Sequence, residues 1–153
     1  MSKITGQCSC GHVRYQLKQK PMFVHACHCS LCKQQTGSAF ITHAFIESAN
    51  FEVTSGSLIS FEGPAGSGNP HIVDRCAKCS VAIMSYYRGQ KNWGVVKVGT
   101  LHEPDKFPPS VHLHTKNKVS WVELPVGVPA FEEGYDMEAV WPEEGYARLS
   151  RVR

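Results

Sequence analysis

The fold class this sequence predicts is a mainly β domain whose sheets are held together by metal. Three observations predict it. Apolar residues near the start recur with period two. Short apolar runs then follow one another, most of them separated by glycine-rich or polar turns. And the seven cysteines all fall in three tight clusters.

In chain order, Val13, Tyr15 and Leu17 alternate with His12, Arg14 and Gln16, the pattern of a half-buried strand. Further strands are expected in the apolar runs at 40–45, 51–53, 58–61, 71–73, 81–87 and 93–98. The longest break between them is the turn at 63–70, Gly-Pro-Ala-Gly-Ser-Gly-Asn-Pro. One short helix stands out, Ser30–Thr36, with Ser30 as N-cap and Gly37 as its stop. Residues 132–140 read as a further short helix or a loop, within an extended C-terminal tail from about residue 125.

The chain of 153 residues suits one domain, 1–153, large enough for a real hydrophobic core. With 42% apolar and 19% charged residues it reads as globular, which excludes a disordered chain. No apolar stretch approaches the ~18 residues of a membrane span. The first ten residues carry one Lys and no apolar run, so no secretory signal is expected. A soluble cytoplasmic protein is the expectation. The formal charge of +3 is a weak pointer to nucleic acid, since seven thiolates on two zinc ions would cancel it. The basic residues are also scattered, so neither a nucleic-acid nor a membrane partner is expected.

The cysteines form C-x-C at Cys8 and Cys10, C-x-C-x-x-C at Cys27, Cys29 and Cys32, and C-x-x-C at Cys76 and Cys79. An odd count excludes complete disulfide pairing, and in a reducing compartment such clusters bind metal or do redox chemistry. Two sulfurs on one tetrahedral zinc sit roughly 3.8 Å apart, so a C-x-C pair must bend at a turn, and Gly6 and Gly11 bracket that pair. Together the C-x-C and the C-x-x-C supply four sulfurs, the complement of a closed structural site. The remaining three sulfurs are the ligand number of a catalytic zinc with an open position. A histidine among His25, His28, His71, His112 and His114 is the alternative that would close it. His28, between two of the cysteines, is expected to point away. Redox use of the three-cysteine cluster is a third reading.

These motifs resemble one family. The order Cys8-x-Cys10, then Cys27-His28-Cys29-Ser30-Leu31-Cys32 followed by Thr36-Gly37, then Cys76-x-x-Cys79, is similar to the glutathione-dependent formaldehyde-activating enzymes, also called the centromere protein V-like family. A proline-bearing stretch from Glu103 to Pro109, His112 and Trp121 extend the likeness over roughly residues 5–122. The resemblance implies an Mss4-like fold of twisted antiparallel sheets. It implies structural zinc on Cys8, Cys10, Cys76 and Cys79, and a second zinc on Cys27, Cys29 and Cys32. The founding enzymes carry Gly and Trp where this sequence has His28 and Lys33, and Gly where it has Ser80.

The activity implied is that of a zinc-dependent carbon–sulfur lyase, with two zinc ions per chain. Its partners are a small-molecule thiol, glutathione, and a small aldehyde such as formaldehyde. A free thiol is mostly protonated at neutral pH, and an open zinc position favours its thiolate, which then attacks the aldehyde. No side chain is assigned a catalytic role beyond the open zinc site. Glutathione is a net anion, so Lys33, Arg75, Lys78 and Arg88 are candidates for meeting it. Two other functions fit the same residues: a zinc-stabilised binding module without catalysis, and a thiol redox protein.

Overall fold

The computed structural model describes residues 3–65 and 68–153. Gly66 and Ser67, within the turn expected at 63–70, therefore lie outside the described residues, as do the first two residues.

Among the described residues, ten strands build two sheets. A small antiparallel sheet has β1 (Ile4–Gln7), β2 (Arg14–Leu17) and β5 (Phe51–Ser55), in the order β1-β2-β5. The large sheet has β3 (Phe23–Cys27), β4 (Ile41–Glu47), β6 (Leu58–Gly63), β7 (His71–Cys76), β8 (Ala82–Tyr86), β9 (Trp93–Lys97) and β10 (Val111–Leu113). Its order is β10-β3-β4-β9-β8-β7-β6. Every pairing is antiparallel except β10 with β3, which is parallel, so the large sheet is mixed and not purely antiparallel. A long connection after β9 brings the chain back to the far edge of the sheet and makes that parallel pair.

Each apolar run expected to be a strand is one. β1, β3 and β10 escape the period-two signal for identifiable reasons. All five residues of β3 are buried, because the strand lies inside the sheet and is covered on both faces. β10 has only three residues, and β1 has one buried position.

The two faces of the large sheet meet different partners. On one face Ala44, Ile46, Met84 and Val96 pack against Tyr15 and Leu17 of the small sheet and against Val13 just before β2. On the other, Phe23, Phe45, Trp93 and Val95 form an apolar half that is roofed by Trp141 and Leu149. Trp141 stacks on Phe23 at 4.9 Å and meets Phe45 edge-on at 4.8 Å. That roof is a correction to the extended tail. Residues after 125 include α2 (Met137–Val140), capped by the Asp136 carboxylate, and α3 (Glu143–Ser150). Tyr146 and Leu149, three apart, lie on one side of α3 in the same cluster, with Glu143 and Glu144 in its first turn and Arg148 in its last. These apolar side chains are what hold the tail down.

The helix between β3 and β4, α1 (Ser30–Thr36), has the expected bounds and stops at Gly37 with φ 66°. Its cap is Cys29, not Ser30: the Cys29 sulfur accepts the backbone N–H of Cys32 at 3.3 Å. No helix among the described residues is long and apolar enough to cross a membrane.

Candidate functional site

The seven cysteines, none in a disulfide, gather into two groups. The sulfurs of Cys8, Cys10, Cys76 and Cys79 all lie within 4.8 Å of one another, and so do those of Cys27, Cys29 and Cys32.

The four-sulfur group is built by two facing turns. Cys8 and Cys10 flank the bend between β1 and β2, where Gly11 takes φ 73° and Gly11 N–H donates to Cys8 O. Cys76 ends β7 and opens a knuckle in which the backbone N–H groups of Lys78 and Cys79 donate to its sulfur at 3.3 and 3.4 Å. Val13 N–H does the same for Cys8 at 3.3 Å. Such bonds favour thiolates. The sulfur separations of 3.5 Å (Cys8–Cys10) and 3.9 Å (Cys10–Cys76) bracket the tetrahedral zinc spacing. At the knuckle's exit Ser80 adopts φ 63°, a left-handed conformation that costs a side-chain-bearing residue energy.

The three-sulfur group sits where β3 runs into α1. Cys27 ends the strand, Cys29 caps the helix and Cys32 lies in its first turn, buried. Its protons are shared unequally. Hydrogen bonds from Cys27 and Cys32 hold Cys29 down to about 2. The Cys29 thiolate in turn holds Cys27 up, to about 12, and Cys27 and Cys29 push Cys32 higher still. Clustered soft sulfur donors at these separations fit zinc in both groups, four in one and three in the other.

No histidine nitrogen among the described residues is grouped with either set of sulfurs. His28 turns away as expected: its Nε2 lies 2.8 Å from His112 Nδ1, and its ring packs on Phe40. His71 stacks on Tyr87, with centroids 4.5 Å apart. His114 heads a turn at φ 54° and lowers Cys29 through its charge. His25 belongs to a row that spacing did not reveal. Register places His25, His43 and Lys97 side by side across β3, β4 and β9. They are joined by hydrogen bonds, Lys97 Nζ to His43 Nε2 at 3.1 Å and His43 Nδ1 to His25 Nε2 at 3.4 Å. Tyr135 Oη ends the row, 2.8 Å from His25 Nδ1, and accepts from Trp141 Nε1. Tyr135, Leu113 and Ile41 pack over the three sulfurs. A lone Lys or His inside an otherwise apolar strand run was the available signal for this row.

Of the cations, Arg75 shares a cavity wall with Cys32, and Lys33 stands near His28. Lys33 Nζ donates to Asn117 O at 2.5 Å, tying α1 to the loop after β10. Lys78 instead belongs to the knuckle of the four-sulfur group, and Arg88 occupies a turn after β8 at φ 63°. A groove of about 960 Å³ is lined by residues that include Lys3, Lys18, Lys106 and Phe107, with no cysteine or histidine in its wall. Among the described residues, three or more potential metal ligands come together only in the two cysteine groups.

Comparison with known proteins gives the same direction. The family described as glutathione-dependent formaldehyde-activating enzyme matches residues 3–117. A Halomonas elongata protein that takes its description from that family is 25% identical over 132 residues, covering 79% of this chain and 80% of its own. The crystal structure of a Rhodobacter sphaeroides protein superposes with a TM-score of 0.50 at 16% identity, covering 83% of this chain and 98% of the other. That likeness is one of fold. Residues 118–153, with Tyr135 and Trp141, lie beyond the family match.

Proposed function

Because the chain belongs to the glutathione-dependent formaldehyde-activating enzyme family, we propose that it is a zinc-dependent carbon–sulfur lyase-type enzyme. Its substrate in this reading is the adduct of glutathione with formaldehyde or a similarly small aldehyde, and its fold is Mss4-like. The observation that carries the reading is the division of the cysteines into a group of four sulfurs and a separate group of three. Cys8, Cys10, Cys76 and Cys79 would hold a structural zinc, and Cys27, Cys29 and Cys32 a second. Zinc bound there would be held by the thiolates of Cys27, Cys29 and Cys32, and it would favour the thiolate form of an incoming thiol.

The chain's own residues supply the rest. The β3–α1 junction orients three sulfurs within one short segment, so no large rearrangement is needed to present them. Leu113, Ile41 and Tyr135 cover the group and limit water. Lys33 and Lys118, whose charges both act on His28, would offer cations to the carboxylates of glutathione. A reducing cytoplasm suits seven unpaired thiols.

The test is exchange spectroscopy on 13C-formaldehyde with glutathione and the zinc-loaded protein. Interconversion of free aldehyde and S-hydroxymethyl adduct should be faster than without protein, and Cys29→Ser should abolish the acceleration. An unaccelerated exchange would contradict the reading.

A further inference from the structure

Each sheet has two outer strands, and the chain itself closes one edge of each. The outer edge of β10 is met by a later segment: His112 N–H donates to Pro129 O at 2.9 Å, and Phe131 N–H donates to His112 O at 2.8 Å. The outer edge of β1 is met by residues after β9, where His102 N–H donates to Thr5 O at 2.9 Å and Leu101 bridges Gly6. Among the described residues no segment pairs with the outer edge of β5 or β6. The same two strands carry the large apolar side chains that the strands leave exposed: Val53 at 37%, Ile59 at 41% and Phe61 at 49%. Edge strands are ordinarily blunted by lysine, proline or a bulge. β6 contains no lysine or proline, and its register with β7 runs without a break.

We propose that β6 is a dimer interface, which takes the β6 of a second copy of this chain as its antiparallel neighbour. The inference stands apart from the lyase reading. What selects a second copy is the order of residues along the strand. Ser57 O accepts the Ala77 N–H at 3.0 Å, from the β7 side. Backbone groups alternate along an antiparallel strand, so Ile59, Phe61 and Gly63 also turn theirs toward β7. Those of Leu58, Ser60 and Glu62 point to the open edge. A twofold axis at Ser60 sets the two Ser60 residues against each other and each Leu58 against the partner's Glu62. Every outward N–H and C=O of the strand then gains a bond. Ile59 lies opposite the partner's Phe61 on both sides of the axis, in the non-hydrogen-bonded pairs where side chains come closest. The same register holds the two Glu62 carboxylates at opposite ends of the pair. An axis at Phe61 would instead set Leu58 against Pro64, which has no N–H to give. The pairing continues the large sheet from one protomer into the next, and its twofold symmetry closes the assembly at two. A strand of six residues makes a small interface, below about 1,200 Å², so the dimer is reversible.

Sedimentation of the zinc-loaded full chain over a series of concentrations tests the interface. The wild type is expected to pass from monomer to dimer with a dissociation constant on the order of 10 μM. Ile59→Lys and Phe61→Glu each set a charge against an apolar side chain in both cross-strand pairs, and each should weaken association about tenfold. Both side chains are exposed, so the melting of the dilute monomer and its zinc content should not change. Mixing the two variants sets the introduced ammonium against the introduced carboxylate in one pair and keeps Phe61 on Ile59 in the other. The mixture should therefore associate about as tightly as wild type. A wild type still monomeric at about 1 mM would overturn the proposal. So would variants that associate as tightly as wild type, or a mixture no tighter than its two components.

Discussion

The Sγ atoms of Cys10 and Cys76 lie 3.9 Å apart, although 66 positions separate the two residues. A ligand pair of that kind ties the first hairpin of the small sheet to β7 of the large one. Metal binding there would be coupled to folding, since the unfolded chain has no such site. Cys76→Ser and Cys8→Ser are therefore expected to leave the protein poorly folded. Zinc per chain and a cooperative thermal transition measure it. A soluble Cys76→Ser protein with unchanged melting and zinc content would end the four-cysteine assignment.

Cys29→Ser should behave differently. Its cluster spans only residues 27–32, within one strand–helix junction, so it closes a short loop and ties together no distant elements. The fold should persist while the second zinc is lost or weakened. Circular dichroism and metal analysis on the same sample decide it. Unfolding as complete as that of Cys76→Ser would make the second site structural too.

Ser80 is the residue that stands where the resemblance leads one to expect glycine, and its φ of 63° supplies the physical reason for that glycine. An L-residue in the left-handed region carries a cost, partly offset because Gly has more freedom to lose on folding. Ser80→Gly is expected to raise stability by roughly 0.5–1 kcal/mol. Chemical denaturation reads this directly, and a loss of stability would show that the Ser80 side chain has a stabilising role that its contacts do not reveal.

Arg148 on α3 grips Glu47 at the end of β4 with two bonds, Nε to Oε1 at 2.8 Å and Nη2 to Oε2 at 2.6 Å. Burial pushes the Glu47 carboxyl up, but the bonds from Arg148, its own backbone and Asn50 outweigh that and hold it below its ordinary value. A depressed carboxylate stabilises the fold above its unfolded pKa of ~4.3 and loses that contribution as pH falls through the lower folded value. Glu47→Gln should cost about 1–3 kcal/mol at neutral pH, and the gap to wild type should close as pH drops below ~4.3. The difference between the two proteins is the readout, because acid removes thiolate-bound metal from both. A gap that stays constant with pH would contradict the ion pair's role.

Much of this was legible in the residues themselves. Period two marked β2, and bounded apolar runs marked β4 through β9, because those strands border solvent or turns. The cysteine spacings marked which sulfurs meet, since C-x-C and C-x-x-C have few conformations that bring both sulfurs to one point. What stayed hidden depends on long-range packing. β3 is buried on both faces and carries no alternation. The apolar residues of α3 find their partners more than a hundred positions away, on Phe23 and Phe45. The His25–His43–Lys97 row exists only through strand register, which no local pattern records. Ser30 looked like the cap of α1 by residue type. The sulfur of Cys29 takes that place because it already faces the Cys32 amide.

The central claim is that the Cys27/Cys29/Cys32 centre takes up an external thiol. The most direct measurement is calorimetric titration of the zinc-loaded protein with glutathione and with S-methylglutathione across about pH 6 to 9, bracketing the free thiol pKa. The account predicts that glutathione binds more tightly than its methylated form, that its affinity rises with pH as the thiol loses its proton, and that Cys29→Ser removes the preference. Equal binding of the two ligands at every pH would contradict it.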